Sequence, residues 1–372
     1  MKLKVTTIVG TRPEIIRMSE IIKKFDLYFQ HRLIHTGQNP DPLLKDIFFE
    51  DLNLRAPDLY FGAKQTSLGH FLGELFIGIE RELLDNKPDA VVILGDTNSA
   101  LSSILAKRLT IPIYHLEAGN RSFDQNVPEE INRRIVDHTA DFNLVYTELA
   151  RNNLIFEGIH PRKIALIGSP LYEVIFNHTE KINNSRILEK LGLKKSEYVL
   201  VSAHRQENID YKSRFYQFIS SLEEVSNNYK LPVLVSTHPR TKKQIESNKI
   251  SKNANIIFHD PFNFTDYNFL QKNAMIVLSD SGTISEESAI LGFKAITIRD
   301  SMERPEALES GSIVMSGTNP KHLIQAIDIV LKTSRSESLP FEYSIKDTSS
   351  RVLNYIISTV HQYKFWNSLY DE

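Results

Sequence analysis

Short, nearly continuous runs of β-branched and aliphatic residues alternate with amphipathic stretches along the whole chain, and this alternation limits its fold more than any other feature. The runs lie at 3–9, 90–94, 111–115, 142–145 and 163–167, then at 198–202, 233–236, 255–258, 275–278 and 295–298. Runs of this length that are apolar throughout suit strands of a parallel sheet covered on both faces. Between them, Leu68, Leu72, Leu75, Ile79 and Leu83 recur at three- and four-residue steps, and 215–228 and 321–331 show the same spacing. Such alternation predicts a doubly wound α/β architecture.

The two series of runs predict two domains of similar construction, 1–170 and 171–348. The turn residues Gly168-Ser169-Pro170 mark the join. The helical pattern at 349–370 is expected to pack back on the first domain. Open parallel sheets bind ligands beyond the carboxyl ends of their strands. Two such sheets facing each other would make a cleft walled by strand-end loops, which is where chemistry is sought.

Charge and composition exclude several classes. The 44 Lys and Arg against 46 Asp and Glu in 372 residues leave a net charge of −2, which offers no global attraction to nucleic acid or to an anionic membrane. No cysteine is present, so disulfides, thiolate nucleophiles and cysteine metal sites are all excluded. The 12 histidines are dispersed without an H-E-x-x-H, so no metal site is expected. The start, MKLKVTTIVGTRPE, does not read as a secretory signal, and no segment approaches the ~18 apolar residues of a membrane span. A cytoplasmic protein is the expectation.

The strand-end loops carry the candidate residues. After the first run comes Gly10-Thr11-Arg12-Pro13-Glu14, with Pro13 suited to a first helical turn. The N–H groups of that turn, with Arg12 beside them, read either as a phosphate site or as a surface turn with an ordinary arginine. After 90–94 comes Asp96, a helix N-cap or a carboxylate aimed at a ligand. Glu117 directly follows the next run, and Glu129 and Glu130 open a helix after Pro128. Clustered carboxylates raise one another's pKa, which can yield an acid and a base from one residue type.

In the second half, 198–202 leads to His204 and Arg205, and 233–236 leads to His238 and Arg240. The run 275–278 leads to Ser279-Asp280-Ser281-Gly282-Thr283 before a helix carrying Glu287. Small hydroxylic residues and a glycine at a helix start read as a phosphate cradle, with Glu287 placed for ribose hydroxyls. The loop matches neither G-x-x-x-x-G-K-[ST] nor G-x-G-x-x-G, so neither a P-loop nor a dinucleotide site is supported and no cofactor is expected.

Eight motifs occur in order: GTRPE (10–14), LGDTNS (94–99), HLEAGNR (115–121), VPEEINRRIVDH (127–138), SAHRQEN (202–208), STHPRT (236–241), DSGTISEES (280–288) and ERPE (303–306). Together they resemble the non-hydrolysing UDP-N-acetylglucosamine 2-epimerase family over roughly residues 1–335. The resemblance implies two Rossmann-like domains in the GT-B arrangement, a UDP-sugar in the interdomain cleft and a homodimer. Within the family, 36–39 with 47–52, 118–151 and 279–293 are most similar to the C2 epimerases that form UDP-N-acetyl-L-fucosamine. Their substrate is UDP-2-acetamido-2,6-dideoxy-L-talose. Carried over by motif, the implied catalytic set is Asp96, Glu117, Glu129 and His204. The implied UDP set is Arg12, Arg205, Ser281, Gly282, Thr283 and Glu287. Arg304 and Glu306 are candidates for sugar or loop contacts, or for an internal Arg–Glu pair.

Overall fold

The computed structural model describes residues 2–39, 41, 46–62, 67–203, 205, 209–248, 253–333 and 339–369. These form two compact units, one from 1–177 with 344–372 and one from 178–343. The first holds a seven-stranded sheet built from β1 (Lys4–Val9), β2 (Gln30–His35), β3 (Leu59–Tyr60), β4 (Ala90–Leu94), β5 (Ile113–Leu116), β6 (Phe142–Val145) and β7 (Ile164–Leu166). Its order is β3-β2-β1-β4-β5-β6-β7, parallel throughout. The second holds β8 (Val199–Ser202), β9 (Val233–Ser236), β10 (Ile256–His259), β11 (Ile276–Ser279), β12 (Ala295–Thr297) and β13 (Val314–Met315). Its order is β10-β9-β8-β11-β12-β13, again parallel.

The apolar runs explain the central strands. Every residue of β4, β8, β9 and β11 is buried, as expected of strands roofed by helices on both faces. Helix Leu68–Asn86 starts at Ser67, whose hydroxyl accepts from His70 N–H, and buries Phe71, Leu75, Ile79 and Leu83. That stripe packs with Ile8, Val91 and Ile93 of β1 and β4. Full burial of each such side chain contributes roughly 1.5–3 kcal/mol before entropy is counted. In the second unit, Phe215, Phe218 and Leu222 of helix Lys212–Tyr229 and Leu323 and Ile327 of helix Pro320–Lys332 cover β8, β9 and β11 in the same way.

Three strands depart from the sequence reading. β2 reads QHRLIH, with two aliphatic residues, and becomes a strand through residue-by-residue pairing with β1. Its polar side chains find partners: His31 lies 2.6 Å from Asp26 and 2.9 Å from Thr7, and Arg32 pairs with Glu82. β3 and β13 are two-residue edge strands, too short to leave a pattern. The expected helix after Asp96 is a 3-10 turn, Asn98–Ser102, followed by the short helix Ser103–Arg108.

The chain leaves the first unit after Asn177, not after Pro170, because helix Pro170–Asn177 packs on helix Arg12–Tyr28. It rejoins that unit at Ser344. Ser349 N–H donates to Glu173 at 2.8 Å, and Thr359 shares a 2.8 Å hydrogen bond with the buried Tyr114 hydroxyl. Tyr355 sets its ring edge-on to Tyr114 and Phe142, which stack at 4.7 Å. Among the described residues no helix is long and apolar enough to cross a membrane.

Each sheet has a switch point, β1/β4 in the first and β8/β11 in the second, where successive crossovers run in opposite directions. Loops after such strands part and leave a crevice for a ligand. Arg12, Asp96, Arg205 and Ser281–Thr283 follow these strands, Glu117 follows β5 with Glu129 opening the helix beyond it, Glu287 lies on the helix after β11, and Arg304 and Glu306 follow β12.

Candidate active site

The turn after β1 is closed by Glu14. Its Oε2 accepts the N–H groups of Gly10 and Thr11, each at 2.7 Å, and the Thr11 hydroxyl at 3.0 Å. Its Oε1 accepts the Thr97 hydroxyl at 2.7 Å, which ties this turn to the loop after β4. Burial pushes the Glu14 carboxyl up to about 7, against the hydrogen bonds that favour its charged form. The N–H groups of Gly10 and Thr11 belong to the two residues before helix Arg12–Tyr28, where Thr11 and Glu14 form a capping box, and not to the first helical turn that the sequence reading offered to a phosphate. Arg12 is half-buried, with its guanidinium over the Phe48 ring at 5.7 Å.

Asp96 is not a side-chain cap. Arg133 places Nε and Nη2 each 2.7 Å from Asp96 Oδ2. Arg133 also donates through Nη1 to Glu130 at 3.0 Å. Asn132 donates to the Asp96 carbonyl at 2.9 Å. Glu130 is buried, and despite that burial the bonds from Ser122 and Arg133 hold its carboxyl below the usual range. Glu129 stands at the first position of helix Glu129–Thr139 and is half-buried.

Glu117 has φ +66°, an uncommon left-handed conformation for a side-chain-bearing residue. Such backbone costs of order 1–3 kcal/mol and persists where the surroundings impose it. Its carboxylate is ion-paired with Arg17 of helix Arg12–Tyr28, and both side chains are largely buried. β4 and β5 pair in register through Leu94 and Leu116, so Asp96 and Glu117 emerge from neighbouring strand ends.

In the second unit, Arg205 follows β8. Its N–H donates to Asp280 Oδ2 at 3.0 Å, its Nε to the Asp280 carbonyl at 3.0 Å and its Nη2 to Glu303 at 3.0 Å. Glu303 also accepts from the buried Arg299 at 2.6 Å. A Cβ at Gly282 would lie 2.4 Å from Glu303 Oε1, so a side chain there would have to displace the Glu303 carboxylate from its place. Beside it, the hydroxyls of Ser281 and Thr283 are 2.8 Å apart. Glu287, on helix Ile284–Leu291, accepts from Gln271 Nε2 at 2.5 Å.

Arg304 is buried, donates to the Gly282 carbonyl at 3.0 Å and pairs with Glu286, so the internal Arg–Glu pair is made with Glu286. Glu306 opens the short helix Glu306–Glu309. His204 lies outside the described residues. No group of three His, Asp or Glu side chains among the described residues is placed to hold a metal ion.

The structure thus sets Asp96 and Glu117 beyond the carboxyl ends of adjacent strands at the carboxyl edge of the first sheet, and Arg205, Ser281, Gly282 and Thr283 likewise at that of the second. The partners Arg133, Arg17, Glu14 and Glu303 were not singled out in the sequence. Arg133 had a local signal, the i,i+3 spacing from Glu130. The first edge offers anchored carboxylates for proton transfer, and the second offers a guanidinium and hydroxyls for an anion.

Comparison with known proteins converges on one family. A curated UDP-N-acetylglucosamine 2-epimerase of Methanocaldococcus jannaschii is 38% identical over 91% of this chain and 95% of its own length. A UDP-2,3-diacetamido-2,3-dideoxy-D-glucuronate 2-epimerase of Pseudomonas aeruginosa is 31% identical over 95% of this chain and 99% of its own. The crystal structure of the M. jannaschii UDP-GlcNAc 2-epimerase in complex with UDP-GlcNAc and UDP superposes with a TM-score of 0.90. It is 34% identical and covers 96% of this chain and 100% of that one. Matched over residues 23–357 by the family model for UDP-N-acetylglucosamine 2-epimerase, the chain belongs to that family and is an isomerase that epimerises a UDP-sugar at C2.

Proposed function

We propose that this chain inverts C2 of a UDP-2-acetamido sugar by eliminating and re-adding UDP, with UDP-N-acetylglucosamine and UDP-N-acetylmannosamine as the interconverted pair. C2 of such a sugar is not next to a carbonyl, so its hydrogen is not acidic and simple enolisation is closed. In the proposed route a base takes the C2 proton as the C1–O bond to UDP breaks, which yields a 2-acetamidoglycal and UDP. UDP then re-forms the C1–O bond while C2 is protonated from the opposite face. No net oxidation occurs.

Asp96, Glu117 and Glu129 are assigned the proton transfers and the electrostatic work around C2. His204 is assigned to the departure and return of UDP. Arg12, Arg205 and Ser281–Thr283 are assigned to the diphosphate, Glu287 to the ribose, and Arg304 and Glu306 to shaping the loops. The observation that carries this reading is the pair of carboxylates on adjacent strand ends, each held by its own buried arginine: Asp96 by Arg133 and Glu117 by Arg17. General acid–base groups so placed contribute typically about 10²–10⁴-fold. The names of the relatives support the sugar.

A second reading, UDP-2-acetamido-2,6-dideoxy-L-talose to UDP-N-acetyl-L-fucosamine, is favoured by the likeness of 118–151 and 279–293 to that branch. The test of both is NMR of the product formed from each UDP-sugar, with kcat/KM compared between them. UDP-sugar recovered as its C2 epimer supports the reaction, whereas free UDP and free sugar in stoichiometric amounts would overturn it. A pocket lacking a partner for a C6 hydroxyl discriminates by only ~10–200-fold. The higher kcat/KM therefore assigns the sugar. A cytoplasmic homodimer belongs to the same reading, and light scattering tests the dimer.

A further inference from the structure

Asp137 lies on the last turns of helix Glu129–Thr139, is fully buried and has no assigned role. It gathers three groups from the strand-end loops. The Gly119 N–H donates to its two carboxylate oxygens at 3.3 and 3.2 Å. Arg121 Nη1 donates to Oδ2 at 2.7 Å. His115 Nδ1 stands 2.9 Å from Oδ1, off the line of a hydrogen bond and a charge contact only when the ring is protonated. The other ring nitrogen of His115, Nε2, is 2.8 Å from the carbonyl oxygen of Gly95. A carbonyl only accepts, so Nε2 carries a hydrogen.

The connections run to two of the three carboxylates assigned to proton transfer, Asp96 and Glu117. Gly95 immediately precedes Asp96, and His115 and Gly119 flank Glu117 at two residues on either side. The turn through Glu117 is left-handed at Glu117 and again at Gly119, with φ of +66° and +80°. No side chain fits at 119, where a Cβ would lie 2.2 Å from the Ala150 carbonyl oxygen. Left to itself a side-chain-bearing residue avoids this backbone, so something must hold it there. Arg121 is held from the far side by Glu157, through Nε at 2.8 Å and Nη2 at 2.6 Å, so Asp137 pulls against a fixed point.

We propose that Asp137 is a positioning residue. Through Gly119 it sets the turn that aims Glu117, and through His115 and the Gly95 carbonyl it ties that turn to the loop bearing Asp96. The inference rests on the reading that Asp96 and Glu117 do the proton transfer. Asp137 touches no reacting atom, so its effect falls on kcat and not on nucleotide affinity. The nucleotide is assigned to Arg12, Arg205, Ser281–Thr283 and Glu287, none of which is a partner of Asp137.

The test compares Asp137→Asn, His115→Asn and Glu117→Gln with the wild type on whichever UDP-sugar the wild type epimerises. Turnover, KM and wash-in of solvent deuterium at C2 are measured. Calorimetric titration with UDP gives both affinity and the fraction of competent molecules. Asp137→Asn and His115→Asn are each expected to lower kcat and deuterium wash-in together by about 10–100-fold, the scale of a small misplacement of reacting groups. UDP affinity should stay within about twofold at full stoichiometry, a split that general loosening of the fold would not produce. If Asp137→Asn does not fold, His115→Asn decides, because it keeps the Asp137–Arg121 pair. Wild-type kcat in a folded variant whose Glu117→Gln counterpart is inactive overturns the inference, as does a parallel loss of UDP binding. Wild-type turnover in Glu117→Gln overturns the catalytic reading itself.

Discussion

Arg133 donates from Nε to one carboxylate oxygen of Asp96 at 2.7 Å and sets Nη2 2.7 Å from that same oxygen, while its Nη1 donates to Glu130 at 3.0 Å. One guanidinium thus spans the loop after β4 and the start of helix Glu129–Thr139. The planar fork of arginine suits this double contact, and its near-complete burial keeps water from screening it. Asp96 therefore has a set direction before any ligand arrives.

Arg133→Lys tests that relationship. A lysine keeps the charge but cannot fork between Asp96 and Glu130. Turnover should fall by about tenfold or more, the scale of a displaced catalytic group, with UDP affinity unchanged. Steady-state kinetics and UDP calorimetry on the one variant check it. Unaltered kcat would mean that the pair only stabilises the fold.

Turnover in D₂O should place deuterium at C2 of the product. In the proposed route the C2 proton leaves for a side chain and the new one comes from a group that exchanges with solvent. Mass spectrometry and NMR of the product read the label. A product that retains only its original C2 hydrogen would exclude elimination and readdition.

Arg12→Ala and Glu287→Ala should each weaken binding of UDP itself, whatever sugar is attached. Hydrogen bonds to charged groups contribute about 1.5–3 kcal/mol, so a loss of roughly 10–100-fold in affinity is expected for each. Calorimetry with UDP alone is sufficient. Unchanged affinity in both variants would place the nucleotide elsewhere.

Glu14 predicts a pH dependence of stability. Its carboxyl rises from 4.5 to about 7 on folding, with burial as the main cause. A carboxyl raised in the folded state is harder to ionise there than in the unfolded chain. Its contribution is therefore fully present below pH 4.5 and is lost as the pH rises through about 7. The full loss is of order 3 kcal/mol. Glu14→Gln cannot ionise, so wild type should lose stability relative to this variant between pH 5 and 8. Urea unfolding at the two pH values measures the difference, and a constant gap would show that Glu14 does not titrate in that range.

Much of the fold was legible in the sequence because continuous apolar runs have few alternatives to a strand covered on both faces. The runs at 90–94, 142–145 and 233–236 coincide with β4, β6 and β9. β2 was not legible. Two aliphatic residues among glutamine, histidine and arginine leave no pattern, and it is a strand because β1 offers an unpaired edge and Asp26, Thr7 and Glu82 take its polar side chains. Nor was the boundary after Asn177, which depends on how helix Pro170–Asn177 packs against a helix more than 140 residues earlier.

The candidate residues divide along the same line. Sequence alone determined which residue types stand at the strand ends, since loop position follows from the apolar pattern and motif identity needs no contacts. Asp96, Glu117, Arg205 and the Ser281–Thr283 loop were named on that basis. Tertiary structure alone decided what each one faces. It set Glu14 on the N–H groups of Gly10 and Thr11, Arg133 on Asp96, Arg17 on Glu117 and Glu286 on Arg304. The physical reason is range. Hydrophobic periodicity is a local property of a few turns or pleats, whereas an ion pair such as Arg17–Glu117 joins groups 100 residues apart and exists only once the sheet has set their strand ends side by side.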